Sequence, residues 1–589
     1  MNREVRIHVS HIGFLCRARK WFVMDYVEGV TAFEVQDMGM PANESLGGYE
    51  DWECIYRGTL EPSRTDMGTC WVGDFSAVEK PGIYRIVVKD IDARSYQFMI
   101  SDGAYSKLPR YFLDFIHDRR SGAFSNDWRR ASHLDDAVRS DNGEYVDVSG
   151  GWYDAGDLRK WMTMSNLPAI AFSDMYERGY FPWNHFADEH VADNDWVTET
   201  AWVIPYLLKM QAPSGYFYEG VGLGGAARRL PGMTWWYENH SGCYGDNSDN
   251  RFTDNKVLSG DERKVRTAYN PMVQYITQYI LLRSARTVAT VDAELARRAV
   301  AAAQKSWEYA WSAPIDEERA SDLTATKAWK LLAAVELYKR GWIPASVLEE
   351  ETEALLDLQD RKYGFWYYDV AKESPYRGIQ HSAQPLIALC RVYPHSPSEA
   401  LNRKIEEAVN RHWERYVLPM SRTNPFRIIP YGCWFKPATE DYYRRTPQGL
   451  FYRFFMPDCS VQKINHGLSG HWTSWAHGLA LASQVFGNRD MEQIAWAQLY
   501  WLMGGNQLDS CLISGVGYNN PMPHSRFHGT MVGGFCVGPR GDKNDSIVID
   551  LDRRAEWNST EYWNCPVANT LMAFSVLLPS SIDERDKLG

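Results

Sequence analysis

Chemistry in this chain gathers at three places. In Val146-Asp-Val-Ser-Gly-Gly-Trp-Tyr-Asp-Ala-Gly-Asp157 two carboxylates, Asp154 and Asp157, stand three residues apart in a glycine-rich turn beside Trp152 and Tyr153. A D-x-x-D pair in a turn can cap a helix or hold a cation. Gly150, Gly151 and Gly156 add another option. They permit close backbone approach, so both carboxylates can aim at one water and take its proton. Near the C-terminus, Trp557-Asn-Ser-Thr-Glu561-Tyr-Trp563-Asn564-Cys-Pro566 surrounds one acid with aromatic rings. Desolvation by such rings raises a carboxyl pKa and suits it to donate a proton near neutral pH, whereas a place at a helix start would lower it. Glu556 is a rival acid nearby. The third place, Ser514-Gly-Val-Gly-Tyr-Asn-Asn-Pro-Met-Pro-His524-Ser-Arg526, is too rich in Gly and Pro for a regular element. It reads as an ordered loop that offers Tyr518, His524 and Arg526 to a ligand.

The elements that must carry these groups follow from periodicity. Val5, Ile7 and Val9 alternate with polar residues, as do Tyr84, Ile86 and Val88 after the Pro81-Gly82 turn signal, and Tyr96, Phe98 and Ile100. Short alternating runs between turn residues indicate a β-sandwich of roughly 100 residues, placed at 1–104. From residue 105 to 589 the period is helical. Ala328, Leu331, Leu332, Val335 and Tyr338 share one face and Gly341 then Pro344 end the run, after which Ser346 and Glu349 form a capping box. Further helices are expected at 196–211, 266–288, 291–311, 380–393, 401–416, 475–486 and 491–503, and a helix-like run follows the acid at Val567–Val576. Short turns on one side and long aromatic loops on the other imply concentric helix hairpins with a cleft built from loops.

Composition narrows the ligand. The chain has 63 basic and 75 acidic residues, a net charge of −12 and no basic field for a nucleic acid. Aromatics make up 14%, with 24 Trp, which suits stacking on the flat apolar faces of sugar rings. The first residues lack the apolar segment of a secretory signal, and no run is long enough for a transmembrane helix, so no membrane partner is expected. Ten scattered Cys without a CxxC read as free thiols in a reducing cytoplasm. The acidic run from Asp246 to Asp254 lacks the glycine and terminal glutamate of a calcium loop and reads as a solvated polar loop, so no metal or other cofactor is expected.

Together the three segments resemble glycoside hydrolase family nine, the cellulase family with an (α/α)6 barrel. SGGWYDAGD is similar to that family's nucleophilic-water motif, SGVGYNNPMPHSR to its His-x-Arg substrate loop, and Trp557-x-x-x-Glu561 to its C-terminal acid motif. His133-Leu-Asp-Asp-Ala137 and the stretch Trp501–Ser510 look like neighbouring family segments, and the first hundred residues resemble the immunoglobulin-like module that often precedes the barrel. The resemblance implies an inverting hydrolase of an oligosaccharide substrate. Asp157 would be the general base, Asp154 would help hold the water, Glu561 would be the general acid, and His524 and Arg526 would bind hydroxyls. Trp152, Tyr153, Tyr518, Trp557 and Trp563 would line the sugar. The pattern departs at Trp563, Val567 and Ala568, where the family has other residue types. An alignment anchored on Asn564 would put Asn558 at the acid position. Glu561 is preferred because the Trp557 spacing then holds and an Asn cannot donate the proton. Within the family the arrangement is most similar to exo-β-D-glucosaminidases, with Asp136, Asp154 or Glu556 pairing a C2 ammonium in the closed pocket. The alternatives are an intracellular cellodextrin or β-glucoside hydrolase and a non-catalytic sugar binder.

Overall fold

The computed structural model describes residues 5–39, 52–126, 130–180, 183–186, 191–222, 252–313, 323–457, 467–522, 532–549 and 558–579. The N-terminal strands are β1 (Ile7–His8), β2 (Gly13–Phe14), β3 (Trp21–Asp25), β4 (Ala32–Asp37), β5 (Cys54–Thr65), β6 (Gly68–Asp74), β7 (Gly82–Val88), β8 (Ala93–Arg94) and β9 (Phe98–Ile100). They make one sheet in the order β1-β3-β6-β5-β4-β7-β9-β2, with β8 on β7. The long β5 pairs with β4 through its first half and with β6 through its second, so the sheet curls over its own apolar face. Phe14 meets Phe75 and Phe98 edge-on inside the curl, and Phe22 meets Phe33. Where an immunoglobulin-like sandwich was expected, the two layers are halves of one continuous curled sheet. The physical reason is the length of β5, which spans both layers without a break.

Among the described residues twelve longer helices follow: α1 (Leu108–His117), α2 (Pro168–Glu177), α3 (Asp195–Lys209), α4 (Pro271–Val288), α5 (Ala293–Ser312), α6 (Leu323–Tyr338), α7 (Ala345–Leu356), α8 (Gln384–Val392), α9 (Glu399–His412), α10 (Ser469–Phe486), α11 (Arg489–Leu502) and α12 (Asn564–Leu577). The even-numbered helices touch in sequence, α2 to α4 to α6 to α8 to α10 to α12, and α12 returns to α2. Each odd-numbered helix packs outside this ring on an even neighbour, α1 closing the set against α12. This is an (α/α)6 barrel. Burial follows the layers: α12 is buried continuously from Asn564 to Ser575, whereas α5 buries only the stripe Ala296, Ala299, Ala302, Ala303, Ser306, Trp307 and Ala310. A helix between two layers needs apolar residues all round, and an outer one needs a single face.

Several helix boundaries differ from the sequence expectation. Residue 266 belongs to a strand, and α4 starts at Pro271 because the Asn270 side chain accepts from Met272 N (3.0 Å) and proline favours a first helical position. The capping box at Ser346 does not form, since α7 already begins at Ala345 behind Pro344. Helix α10 starts at Ser469, six residues before the expected 475. No helix among the described residues is long and apolar enough to cross a membrane, and the eight described cysteines are unpaired.

The curled sheet braces the barrel at α11 and the loop after it. Phe14 and Trp21 both pack on Tyr500, with ring centroids at 4.7 and 5.5 Å. His11 Nε2 lies 3.2 Å from Asp509 Oδ1.

Candidate active site

A small four-stranded sheet at the barrel mouth frames the aspartate turn. Its strands are β10 (Val138–Arg139), β11 (Lys160–Trp161), β12 (Gly220–Val221) and β13 (Lys264–Arg266), in the order β10-β13-β12-β11. At its base Asp136 is fully buried between two cations. Arg263 donates from Nε to Oδ1 (2.8 Å) and from Nη2 to Oδ2 (2.6 Å), and Lys160 Nζ lies 2.7 Å from Oδ2. Burial alone would raise the Asp136 carboxyl, yet the charges of Arg263 and Lys160 hold it well below the usual carboxylate range. Lys160 also donates to the carbonyls of Val148 (3.1 Å) and Gly150 (3.0 Å), so the cluster straps the turn in place. Gly151 is required there: its φ is +76°, and a Cβ would stand 2.5 Å from the Tyr206 ring.

The turn closes on itself between the two aspartates. Asp154 N donates to Arg159 O (3.1 Å), Asp154 Oδ1 accepts from Trp161 N (3.2 Å), and Asp157 Oδ1 accepts from Arg159 N (3.1 Å). The Arg159 guanidinium lies 3.5 Å from Asp157 Oδ2, whose side chain keeps 17% of its surface in solvent. Asp154 is buried, and burial together with the Asp157 charge pushes its carboxyl well above the usual range.

Glu561 reaches this turn through backbone pairing. Val537 N donates to Glu561 O (2.7 Å) and Trp563 N to Phe535 O (3.1 Å), so 561–563 lie as a strand beside 535–537 before α12 begins. Asn564 then stitches the two halves of the site together. Its N–H donates to Asp154 O (3.0 Å), and its amide donates to Tyr153 O (2.9 Å) and Ser165 O (3.2 Å). Glu561 is 8% exposed and its carboxylate Oε2 accepts from the Trp563 indole (3.1 Å). Burial and the Asp157 charge push it up to about 8, against the opposing Trp563 hydrogen bond and the cations Arg159 and Arg119. A carboxyl raised in this way favours its protonated form near neutral pH, the form a general acid needs.

The structure therefore brings Asp154, Asp157 and Glu561 within electrostatic reach of one another. It reassigns several of the aromatic candidates. Trp152 is fully buried, with its indole bonded to Glu199 Oε2 (3.0 Å), and Tyr153 is fully buried, with its hydroxyl on Ser132 Oγ (2.7 Å) and His133. Neither ring keeps a face for sugar; both anchor the turn from behind. Trp563 is buried as well and positions the acid. Tyr518 stacks on Tyr96 of the curled sheet (4.3 Å) and meets His11 edge-on (5.4 Å), so its ring joins the two domains. Asp136, with both oxygens held by Arg263 and Lys160, is not free to pair a substrate ammonium. His524, Arg526, Glu556 and Trp557 lie outside the described residues. Asn558, the alternative acid position, is buried with its carbonyl accepting from Gly467 N (2.8 Å).

Some supporting residues were not singled out from sequence. Arg119 is buried beside the three carboxylates, donates to Ala155 O and lies over the Phe115 ring (4.2 Å). Burial pulls its guanidinium down to about 10, with the charges of Asp154, Glu561 and Asp157 opposing. Glu199 collects His117 (2.5 Å), Arg120 (2.7 Å) and Trp152. The adjacent arginines at the end of α1 were a visible signal, but only the fold shows which acids they face.

Comparison with known proteins gives the family. The sequence profile of glycosyl hydrolase family 9 matches residues 105–567, which takes in the aspartate turn and Glu561. The chain belongs to this family. A cellodextrinase of Butyrivibrio fibrisolvens is 26% identical over 229 residues, 37% of this chain and 40% of that protein. Endoglucanase D of Acetivibrio thermocellus is 25% identical over 189 residues, 28% of this chain and 29% of that protein. The matched segments thus span less than half the length of these curated relatives. A metagenome-derived family 9 endoglucanase shares the fold with a TM-score of 0.66 at 17% identity, over 97% of this chain and 99% of that one.

Proposed function

We propose that this family 9 chain is an inverting glycosidase that cuts β-1,4-linked glucan oligosaccharides. The observation that carries the reading is a buried Glu561 whose carboxyl is raised by burial and by the charge of the nearby, partly exposed Asp157, two interacting carboxyls in unlike settings. Asp157 takes a proton from a water, the water oxygen bonds to the anomeric carbon, and the glycosidic C–O bond breaks as Glu561 delivers its proton to the departing oxygen. Asp154, itself inclined to protonation, steadies the water. Inversion needs room for that water, a carboxyl separation of about 6.5–9.5 Å.

Short glucan chains are favoured because the relatives are named a cellodextrinase and an endoglucanase. The eight described cysteines, none paired with another, suit a reducing cytoplasm, where the substrate would be an imported oligosaccharide. The second reading, exo-acting release of glucosamine from chitosan oligosaccharides, is favoured by the net charge of −12, and it keeps Asp154 and Glu556 as partners for the C2 ammonium. Incubation with cellotetraose, cellobiose, chitobiose and the glucosamine dimer separates the two. Faster cleavage of the glucan series is expected, with the α anomer first in proton NMR. Faster release from the glucosamine dimer would give the site to the amino sugar, and an early β anomer would defeat inversion.

A further inference from the structure

At the seam between the curled sheet and the barrel lies a cavity of about 620 Å³ that shares no residue with the aspartate turn or with the wall around Glu561. Contacts between the two domains flank it. Asp66 N, just after β5, donates to Thr423 O (3.2 Å), Arg19 Nη1 donates to Gln493 Oε1 (3.3 Å), and Trp21 packs on Tyr500. A space of this size accepts a small molecule.

Three guanidinium groups line the cavity, in a chain whose net charge is −12. Arg19 comes from the segment before β3, and Arg422 and Arg427 come from a barrel turn at 422–427. Arg19 Nε lies 3.5 Å from Asp74 Oδ2, and Glu61 is the other acid of the lining. Neither the exposed Arg422 nor the half-buried Arg427 has a hydrogen-bond or ion-pair partner for its guanidinium among the described residues. Burial, then the charges of Arg19 and Arg422, pull the Arg427 guanidinium below its usual range, with Asp490 opposing. Cations gathered in this way cost free energy, and an anion among them relieves it.

The turn that carries Arg427 is held in an unfavourable shape. Arg427 has a φ of +59°, in the left-handed region that favours glycine. Two buried amides lock it: Asn424 accepts from Ile428 N (3.0 Å) and donates to Ile428 O (2.8 Å), while Gln498 donates to Arg427 O (3.1 Å) and accepts from Ile429 N (2.9 Å). Strain kept in place by so many bonds points to a task for the residue that bears it. From the sheet side, Thr59, Ser63 and Thr65 alternate along β5 and bring hydroxyls to one face, and the partly buried rings of Trp21 and Tyr56 complete the lining.

We propose that this cavity binds a phosphorylated sugar at a site separate from the catalytic carboxyls, with the phosphate among Arg19, Arg422 and Arg427 and the sugar against β5. A phosphate dianion has the charge and the oxygens to engage more than one guanidinium fork. The β5 hydroxyls, with Glu61 and Asp74, offer hydrogen bonds to sugar hydroxyls, and Trp21 and Tyr56 offer flat apolar surface to the ring. A ligand seated there touches both domains, so its binding stabilises the seam between sheet and barrel.

The test titrates the full chain with glucose 6-phosphate and, separately, with inorganic phosphate, by calorimetry at low ionic strength. A Kd on the order of 0.1 mM is expected for the sugar ester, with free phosphate at least about tenfold weaker. Added salt should weaken the binding, because it screens the charges. Arg422→Gln, at an exposed position, should keep the wild-type circular dichroism and weaken the sugar ester by about 10–100-fold. Arg427→Gln should weaken it as much, while Arg403→Gln on the exposed face of α9 should leave it unchanged. Saturating glucose 6-phosphate should raise the unfolding midpoint of the wild type and leave that of Arg422→Gln in place. Absence of heat with glucose 6-phosphate, wild-type affinity in Arg422→Gln and Arg427→Gln, or free phosphate binding as tightly as the ester overturns the proposal.

Discussion

Asp157 and Glu561 lie within electrostatic reach of each other in different surroundings. Asp157 keeps part of its side chain in solvent and takes both a backbone N–H and a guanidinium from Arg159. Glu561 is walled in by 535–537 and α12, and among the described residues its carboxyl accepts from a neutral donor, the Trp563 indole. Hydrogen bonds and cations favour a carboxylate, and burial favours a carboxylic acid. On the proposed reading the same functional group serves as base or acid by its setting, and the setting can be altered residue by residue.

Removing the base should have the largest effect. Asp157→Ala is expected to lower kcat on cellotetraose by about 10³-fold or more with circular dichroism unchanged, since water activation is lost with every leaving group. Glu561→Gln should cost about 10²–10⁴-fold on the same substrate. With a dinitrophenyl glycoside, whose leaving group needs no proton, the loss should shrink to within about tenfold. Equal losses on both substrates would remove Glu561 from the acid role.

The acid's setting also predicts a stability effect. The folded pKa of Glu561, about 8, lies above its unfolded value, so the folded state holds that proton more tightly. This contribution is fully present below the unfolded pKa of about 4.3 and is lost as pH rises towards 8, where the buried group must ionise. Glu561→Gln should therefore unfold about 2–4 °C above the wild type at pH 8, and the gap should close near pH 4. Calorimetry at the two pH values checks it. The smallest change is Trp563→Phe, which deletes a hydrogen bond that lowers the Glu561 pKa. The alkaline limb of kcat/KM should move up, and kcat should fall by about tenfold or less.

Much of this was legible in the sequence, though unevenly. The helical period and the glycine-rich aspartate turn pointed to a helical barrel with a carboxylate cleft, because periodicity and local turn chemistry are properties of neighbouring residues. The aromatic candidates are less legible. Trp152, Tyr153 and Tyr518 have the composition of sugar platforms, yet two are buried anchors and one is a domain joint. Composition does not say which way a ring faces.

The pair Asp135 and Asp136 shows the same divide more sharply. Adjacent in sequence and equally buried, they differ wholly in partners: Asp136 has Arg263 and Lys160, and Asp135 has one hydroxyl and two acids whose oxygens lie within 4.8 Å. By itself the sequence determined that acids of the right spacing exist, that helices would enclose them, and that Glu561 would be ringed by aromatics. Only the tertiary structure decided which acids are neutralised, which face one another, and how the Asn564 amide joins segments some four hundred residues apart. Charge and burial are set by what surrounds a group in space, and the closed barrel supplies those neighbours from the far end of the chain.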